Sequence, residues 1–464
     1  MDKMKRGNST QVKNSTGQPK SEEIMTTLHQ FRREIYECMK RGSDAMFNLC
    51  DALLIESQAQ SLPELSLSAV FERKWPSVYE ALSDGDIKVE QLQAVVVRTL
   101  LSQMPKEAPA WIAVDATPIE RPEAKTSEDR GYIHIPNLPL VDKAISVGWL
   151  ASNVVLLPQT PSSWVPPLDI RRIPTKQTPV EVAIEQLRAL KPLFGNRRVI
   201  VIADRGYCTP DFLQACHQLG YGCLIRLKSD RRLYRKGQRI HPRGPVPKDG
   251  PVFQGKRKET HGEPEATASL QDNRDRLIQV RCYSDLHFQE ARELTVSVIE
   301  VEREAARGNK RDPKLSYYVT LDDSIPLSDI PSRYALRFSE EHGLRFFKQD
   351  LLWTSAHVRT PAQFERWSWL VALVMIQLYL ARDLGQAFYR PWERKDRLVT
   401  PSQVRRIMPA ILKQLGTPAR PCRPRGVSPG RAPGFRPKPA PRFPVVRKHP
   451  KKAKKSEPPV QASA

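Results

Sequence analysis

The stretch YALRFSEEHGLRFFKQ, at residues 334–349, spaces a phenol, two bases and an acid in a way that suits chemistry on a phosphate. Each residue turns an α-helix by about 100°. On one continuous helix, Arg337, Glu341 and Lys348 would lie within roughly 60° of Tyr334, beside a separate stripe of leucine and phenylalanine. An exposed face with a salt bridge between Arg337 and Glu341 would show the same spacing. The helix alone leaves both interpretations open.

Two further acids follow apolar runs that predict buried strands. Asp115 ends the run WIAVD before a proline-containing turn, and Asp204 follows RVIVIA. A carboxylate beside a buried strand is costly unless it is paired or binds a metal, and ligands of α/β proteins bind at the carboxyl ends of strands. Either aspartate alone could be a turn residue or a helix cap. Together with Glu341, they predict three carboxylates that converge on hard cations.

Such a set of carboxylates predicts a magnesium site. Mg²⁺ prefers oxygen ligands and is commonly held by a few carboxylates together with substrate phosphates. Two ions about 3.5–4 Å apart can activate an attacking water or 3′-hydroxyl and stabilise the leaving 3′-oxygen in phosphoryl transfer. We therefore expect Asp115, Asp204 and Glu341 to bind two Mg²⁺ ions, for which Mn²⁺ can substitute. We expect Arg337 and Lys348 to hold DNA phosphates.

The surrounding elements predict a mixed α/β sheet with flanking helices. Helical periodicity dominates the chain before residue 108, and strands followed by strand–helix alternation come after it. A basic stretch with Gly and Pro, and then three strands, predict a β-rich insertion. The expected organisation is a disordered N-terminus at 1–20, a helical DNA-binding or assembly domain at 21–107, the first part of the core with both aspartates at 108–228, the insertion at 229–330, the completion of the core at 331–400 and a basic Pro-rich tail at 401–464.

The charge of the chain indicates a polyanionic partner. The formal net charge is +23, of which thirteen Lys and Arg against one acid from Thr417 onward supply +12. Nucleic acid is the first candidate partner and an anionic membrane surface the second. The longest apolar run, WSWLVALVMIQLYLA, is shorter than the roughly 20 residues that span a bilayer, so we expect no membrane segment. Seven scattered cysteines suit a reducing cytoplasm, where a DNA partner would place the protein at the nucleoid.

The spacing Tyr334-x₂-Arg337-x₃-Glu341-x₆-Lys348 resembles the Y-R-E-K signature of bacterial insertion-sequence DDE transposases. The contexts DATP and ADRGY around the two aspartates are similar to that family as well. The resemblance extends from about residue 71 to about residue 384, which is most of the chain between its two polar ends.

The resemblance implies a ribonuclease H-like core that is interrupted by a β-rich insertion. It implies two sets of residues, the catalytic and metal-binding triad Asp115, Asp204 and Glu341, and the DNA contacts Tyr334, Arg337 and Lys348. Members of the family cut double-stranded DNA at the terminal inverted repeats of an element. They join the freed 3′-hydroxyls to target DNA, generally as a homodimer on paired ends.

One departure from the family concerns aromatic residues of the insertion. Some relatives excise through a DNA hairpin and stack a tryptophan of the insertion on a flipped base, but no Trp lies between the second aspartate and the glutamate here. Tyr234, Phe253, Tyr283 or Phe288 could stack instead, or could be core residues of the strands. Two alternatives to a transposase stay open: a nuclease of the same fold without strand transfer, and a catalytically decayed protein that only binds element ends.

Overall fold

The protein is described by a computed structural model that covers residues 18–135, 144–239, 244–272, 275–304, 314–423 and 430–447. The N-terminus predicted to be disordered lies almost entirely outside these ranges, and so does the end of the basic tail. No helix within them is long and apolar enough to cross a membrane. All seven cysteines are free; six are buried and Cys422 is exposed.

The helices form two groups along the chain. The N-terminal group is α1 (Gln18–Glu37), α2 (Ser43–Ile55), α3 (Leu62–Leu65), α4 (Pro76–Asp84) and α5 (Val89–Ser102), with a small ladder between β1 (Met39–Arg41) and β2 (Asp86–Ile87). The later helices are α6 (Pro179–Leu190), α7 (Pro210–Gln218), α8 (Ile330–Ala335), α9 (Arg337–Gln349), α10 (Pro361–Leu380) and α11 (Pro401–Leu415).

The remaining strands form one mixed sheet. They are β3 (Ala110–Glu120), β4 (Gly131–His134), β5 (Ile145–Leu156), β6 (Pro167–Ile173), β7 (Val199–Ala203), β8 (Gly222–Leu227), β9 (Arg232–Lys236), β10 (Asp249–Gln254), β11 (Ala266–Gln271), β12 (Leu277–Phe288), β13 (Ala291–Arg303) and β14 (Leu315–Thr320). In its centre the order is β6-β5-β3-β7-β8. Strand β5 is antiparallel to β3 and β6, whereas β7 is parallel to β3 and β8. The predicted ribonuclease H-like mixed sheet with flanking helices is confirmed.

The segment expected as an insertion extends this sheet. Strand β14 pairs antiparallel with β8, and β13, β12, β9 and β10 follow in order, with β11 on β12. The backbone groups on the free edge of β8 are therefore satisfied by β14. Periodicity predicted strands here, but it carries no information about which strand pairs with which, so the continuity with the central sheet could not be read from it.

The N-terminal helices share one hydrophobic core with the rest of the chain. Helices α2 and α10 are buried on nearly all sides, and they pack against each other. Such helices have no polar face to turn to water, so neighbours must surround them. Arg32 of α1 joins this packing through a buried ion pair with Asp51 of α2 and a hydrogen bond to Gln377 of α10. The helical region predicted as a domain is thus packed onto the core.

The prediction of a single helix over residues 334–349 is wrong. Helix α8 ends at Ala335 and α9 begins at Arg337. At the junction the amide of Leu336 donates to Arg333, and the amide of Ser339 donates to Leu336. These bonds span three residues, so the turn is tighter than that of an α-helix. The Leu336 side chain is buried in the same core cluster as Tyr334.

The tail predicted from residue 401 also needs correction, because residues 401–415 form the folded helix α11. Thr400 caps the helix by accepting from the Gln403 amide, and the Gln403 side chain closes a capping box. Arg405 is 4 % exposed. Its guanidinium donates to the carbonyls of Leu53, Glu56 and Asp350. The predicted start of the tail is too early in the chain because it was based on the composition of the residues beyond 416.

Part of the tail follows an edge of the sheet. Residues 430–447 form no helix and no regular strand and are mostly exposed, so they add little to the core, as their composition predicted. However, the amide of Phe443 donates to Lys125, and the amide of Val446 donates to Arg130 at 2.7 Å. Val446 also forms a parallel bridge with Gly131 at the start of β4. This contact of the tail with a strand edge was not predicted.

Substitution of Arg405 tests how α11 is held. Arg405→Met should lower the free energy of unfolding by about 2–4 kcal/mol, because it leaves buried carbonyls without a donor. The neighbouring Arg406 binds Glu393 on the surface, so Arg406→Met should cost less than about 1 kcal/mol. Urea unfolding of both variants measures the difference. Equal losses would show that Arg405 does not anchor the helix.

Candidate active site

The two aspartates lie at the same level of adjacent strands, but only Asp204 follows its strand. Asp115 lies inside β3, which continues to Glu120, so the prediction that a strand ends at Asp115 before a proline turn is wrong. Strands β3 and β7 are parallel neighbours, with Val114 opposite Ala203, so Asp115 and Asp204 each come one residue after a paired position. Alternation along β3 puts Asp115 on the face of the sheet that carries Trp111 and Ala113 in the smaller of the two cores. The fold therefore brings together two acids that are far apart along the chain.

Local backbone contacts hold both carboxylates. Oδ1 of Asp115 accepts from the amide of Ala116 at 2.9 Å, and Oδ1 of Asp204 accepts from the amide of Gly206 at 2.8 Å. A Cβ on residue 206 would lie 3.0 Å from the same Asp204 oxygen. Glycine thus lets the chain turn tightly around Asp204 and keep its carboxylate at the end of β7.

On helix α9, Arg337 connects Glu341 to Asp115. Nη2 of Arg337 donates to Oε1 of Glu341 at 3.0 Å, and Nη1 lies 4.0 Å from Oδ2 of Asp115. The side chain of Glu341 is 51 % exposed and that of Asp115 is 25 % exposed. The guanidinium of Arg337 therefore lies between two of the three predicted metal ligands and carries the positive charge that they share.

Burial and like charge set the proton affinity of the site. Burial raises the pKa of Asp115 to about 6; Arg337 opposes this rise, whereas Asp204 and Glu341 add to it. Burial lowers the pKa of Lys348, and the attraction of Asp115 and Glu120 opposes that change. The structure thus places Lys348 within electrostatic reach of Asp115, together with the other predicted residues.

Tyr334 differs from its predicted position. Its side chain is 4 % exposed, and its hydroxyl donates to the carbonyl of Ala203 at 3.5 Å. Its ring contacts Tyr318 with centroids 4.5 Å apart. The tight turn at Leu336 separates Tyr334 from the edge that carries Arg337, so Tyr334 fixes α8 on the sheet beside Asp204. It is not exposed for contact with DNA.

Divalent cations suit the chemistry of this donor set. In the part of the chain that the structure describes, no three His, Cys, Asp or Glu side chains are arranged to hold one ion. However, Asp115, Asp204 and Glu341 are hard oxygen donors that repel one another in a partly desolvated place. The Arg337 guanidinium supplies the cation among them. The donor types therefore suit a divalent metal, while in this arrangement of side chains Arg337 supplies the positive charge.

A fourth acid in the site, Glu340, was missed. Glu340 is fully buried, and its pKa is raised well above the ordinary value by burial and by nearby Asp115. The sequence held a signal for it: on the helical arithmetic used above, Glu340 falls at about 240° from Tyr334, within the apolar stripe. An acid in an apolar stripe is either paired or functional.

The aromatic residues considered for base stacking are mostly core residues. Phe253 and Phe288 are fully buried and Tyr283 is 3 % exposed. Phe253 and Tyr283 contact each other with centroids 5.1 Å apart. Tyr234 is half-buried beside His287, so it is the one of the four with a ring partly open to solvent.

The fold and the acidic site define a ribonuclease H-like protein whose two aspartates lie at one level of adjacent parallel strands. Residues 34–287 match the family described as DDE superfamily endonuclease, which is more than half of the chain, and the chain belongs to this family. Endonucleases of this superfamily generally use divalent metal ions. The match includes both aspartates and ends before α9, so it does not reach Glu341.

Comparisons with individual proteins are distant. No curated protein matches the chain. Among solved structures, the chain is similar to the piggyBac transposase synaptic complex with hairpin DNA, determined by cryo-EM, with 10% sequence identity and a TM-score of 0.38. The similarity covers 85% of this chain and 80% of that chain. At these values it does not bear on function.

Gly343 is expected to set how closely α9 approaches the sheet. A Cβ on residue 343 would lie 2.0 Å from Cγ2 of Val165. Gly343→Ala should therefore lower stability by about 1–3 kcal/mol in spite of the better helix propensity of alanine. Val165→Ala in the same chain should recover part of this loss, because it removes the clashing methyl group. Purely additive losses in a double-mutant cycle by urea unfolding would contradict the close approach.

Asp115 should make the metal-free protein less stable as pH rises. Because the pKa of folded Asp115 is about 6 and its ordinary value is 3.8, the folded state binds the proton more tightly than the unfolded chain. Stability from this group is full below about pH 4 and is lost by about pH 6. Asp115→Asn should thus stabilise the protein by about 2 kcal/mol at pH 7.5 and by little at pH 4.

The measurement is urea unfolding in EDTA at both pH values, with Glu185→Gln on an exposed face of α6 as the control. The control should leave the difference between the two pH values unchanged. An equal effect of Asp115→Asn at both pH values would show that the Asp115 carboxyl does not titrate in this window.

Proposed function

We propose that the protein is a DNA transposase of the insertion-sequence type. It cleaves the ends of an element and joins the freed 3′-hydroxyls to target DNA by two-metal-ion phosphoryl transfer. One observation carries the proposal: Asp115 within β3 and Asp204 just after β7 lie at one level of neighbouring parallel strands, and Arg337 links Asp115 to Glu341 on α9. Membership in the DDE superfamily endonucleases supports DNA cleavage as the first step.

The three acids are the proposed metal ligands. Asp115, Asp204 and Glu341 would hold Mg²⁺, with Mn²⁺ as a substitute. When bound, the metal lowers the pKa of the attacking water or 3′-hydroxyl and offsets charge on the leaving oxygen. The Asp115 carboxyl, with a pKa near 6, loses its proton readily at neutral pH, so it is available as an oxygen ligand under the conditions in which such enzymes work.

Arg337 is proposed to change partners when DNA binds. In the structure it neutralises Glu341 and approaches Asp115. A scissile phosphate would compete for the same guanidinium, since arginine binds phosphate through paired N–H donors. Lys348 has a pKa lowered by burial yet lies near carboxylates that favour its charged form. It would hold a second phosphate oxygen as a point charge.

Double-stranded DNA is the proposed partner, as terminal inverted repeats and as target. The net charge of +23 supports a polyanion. A polar pocket next to Asp204 supports the same partner: it is lined by Arg205, Arg226 and Lys228, among others. These bases would hold the DNA backbone next to Asp204. A homodimer on paired ends is the proposed assembly.

The test uses the full chain, Mg²⁺ and a plasmid that carries the reading frame with its flanking genomic DNA. Wild-type protein should cut at the element ends and form joined products. Asp204→Asn and Glu341→Gln should each reduce cleavage by at least about 100-fold, as expected for removal of a metal ligand, and should keep end binding in a gel-shift assay. Glu185→Gln should behave as wild type.

The products separate this proposal from its alternatives. Cleavage without joined products would indicate a nuclease of the same fold. End binding without cleavage by the wild-type protein would indicate a decayed transposase. Undiminished cleavage by Asp204→Asn would contradict the assignment of the site itself.

A further inference from the structure

Glu340 is an acid that the protein buries without a partner. It is 0 % exposed, and neither of its carboxylate oxygens has a hydrogen-bond partner. Other buried acids in the described residues are paired: Asp51 with Arg32, Asp169 with Arg171 and Glu300 with Arg281. An unpartnered buried carboxyl costs free energy. Such a group calls for an explanation in terms of a missing ion or a role in function.

The surroundings of Glu340 are the carboxylates of the site. The charges that act on it are, in order of size, those of Asp115, Arg337, Glu341 and Asp204. Burial is the largest influence and raises its pKa, and the neighbouring carboxylates raise it further. Glu340 is fully buried, so its carboxyl lies on the packed side of α9. Glu341 lies on the solvent side of α9, where its side chain is half exposed.

The packing of α9 leaves Glu340 no route to water. Gly343, one turn further along, lies against Val165, where even a Cβ would be too close. The hydroxyl of Ser339 accepts from the amide of Ser162 at 3.3 Å. These two contacts press the helix onto the loop before β6. The carboxyl of Glu340 is therefore held on the inner side of the site.

Within the described residues, no positively charged side chain pairs with the Glu340 carboxyl on this inner side of the site. The Arg337 terminal nitrogens serve Glu341 and Asp115, and its Nε atom is buried without a partner. The Tyr207 hydroxyl is buried close to Asp115 and Glu340, and its pKa is raised by burial and then by these two carboxylates. The acids on this side thus lack a cationic partner, which a small divalent cation would supply.

We propose that Glu340 is a fourth carboxylate ligand of the metal site and binds the divalent cation from the buried side, opposite Glu341. This inference rests on the proposed function of the same site. A cation that touches Asp115 and Glu340 together offsets the cost of burying both carboxylates. The protein then keeps a destabilising acid in its core because the acid binds the metal.

Metal binding and metal-free stability should change in opposite directions when Glu340 is replaced. In EDTA, Glu340→Gln and Glu340→Leu should raise the unfolding temperature of the full chain by several degrees, since the buried carboxyl is gone. In calorimetric titrations with Mn²⁺ alone, both variants should bind at least about tenfold more weakly than wild type. They should also lose most of the Mn²⁺-induced rise in unfolding temperature.

Glu185→Gln, which removes an exposed carboxylate from α6, is the matched control and should change neither quantity. Glu340→Gln keeps the size and shape of the side chain, so it gives the answer even where leucine is not accommodated. A purely structural role for Glu340 would alter the unfolding temperature and leave Mn²⁺ affinity as it was, and that result would overturn the inference.

Asp115→Asn and Asp204→Asn separate this inference from the proposed function. If these two variants lose Mn²⁺ binding and Glu340→Gln binds as wild type, the inference about Glu340 is wrong and the three-carboxylate site stands. If all three variants bind Mn²⁺ as wild type does, the metal site and the proposed function fall together.

Discussion

The candidate site depends on the repulsion between like-charged carboxylates that the fold holds together in a partly desolvated place. Parallel pairing of β3 and β7 fixes Asp115 beside Asp204, and the packing of α9 adds Glu340 and Glu341. Coulomb repulsion grows as water is excluded. Burial is the main cause of the raised pKa of Asp115, and repulsion from Asp204 and Glu341 adds to it. Arg337 offsets part of this repulsion in the protein alone. The site is therefore built to bind positive charge.

The rest of the fold supplies the rigidity that such a site requires. The central sheet has a core on each face, and α8 closes the smaller one with Tyr334 and Leu336. The larger core runs from the N-terminal helices through α10 to α11. Because these helices are buried on most sides, movement of α9 would disturb packing on both sides of the sheet. A strained, acidic site can persist only on a scaffold of this kind.

The basic character of the chain complements this acidic centre. Acidic side chains at the site would repel DNA if they stood alone, so bases must surround them. Arg337 and Lys348 lie near Asp115, and Arg205, which follows Asp204 in the chain, lines a basic pocket with Arg226 and Lys228. The exposed segment 430–447 carries further bases along the sheet edge at β4. One site can thus hold both metal cations, bound by its acidic side chains, and DNA phosphates, bound by its basic side chains.

Much of this organisation was readable from the amino-acid sequence. Apolar runs predicted β3 and β7 and placed Asp204 just after β7, because alternation and length are local properties. They did not show that β3 continues beyond Asp115 to Glu120. The spacing of Arg337 and Glu341 predicted their pairing, since four residues nearly complete a helical turn. What only the tertiary structure decided was non-local: that α8 and α9 break at Leu336, that Tyr334 faces inward, that β14 joins β8, and that Glu340 is enclosed. Each depends on contacts between segments distant in the chain, and no local pattern records the energy of such contacts.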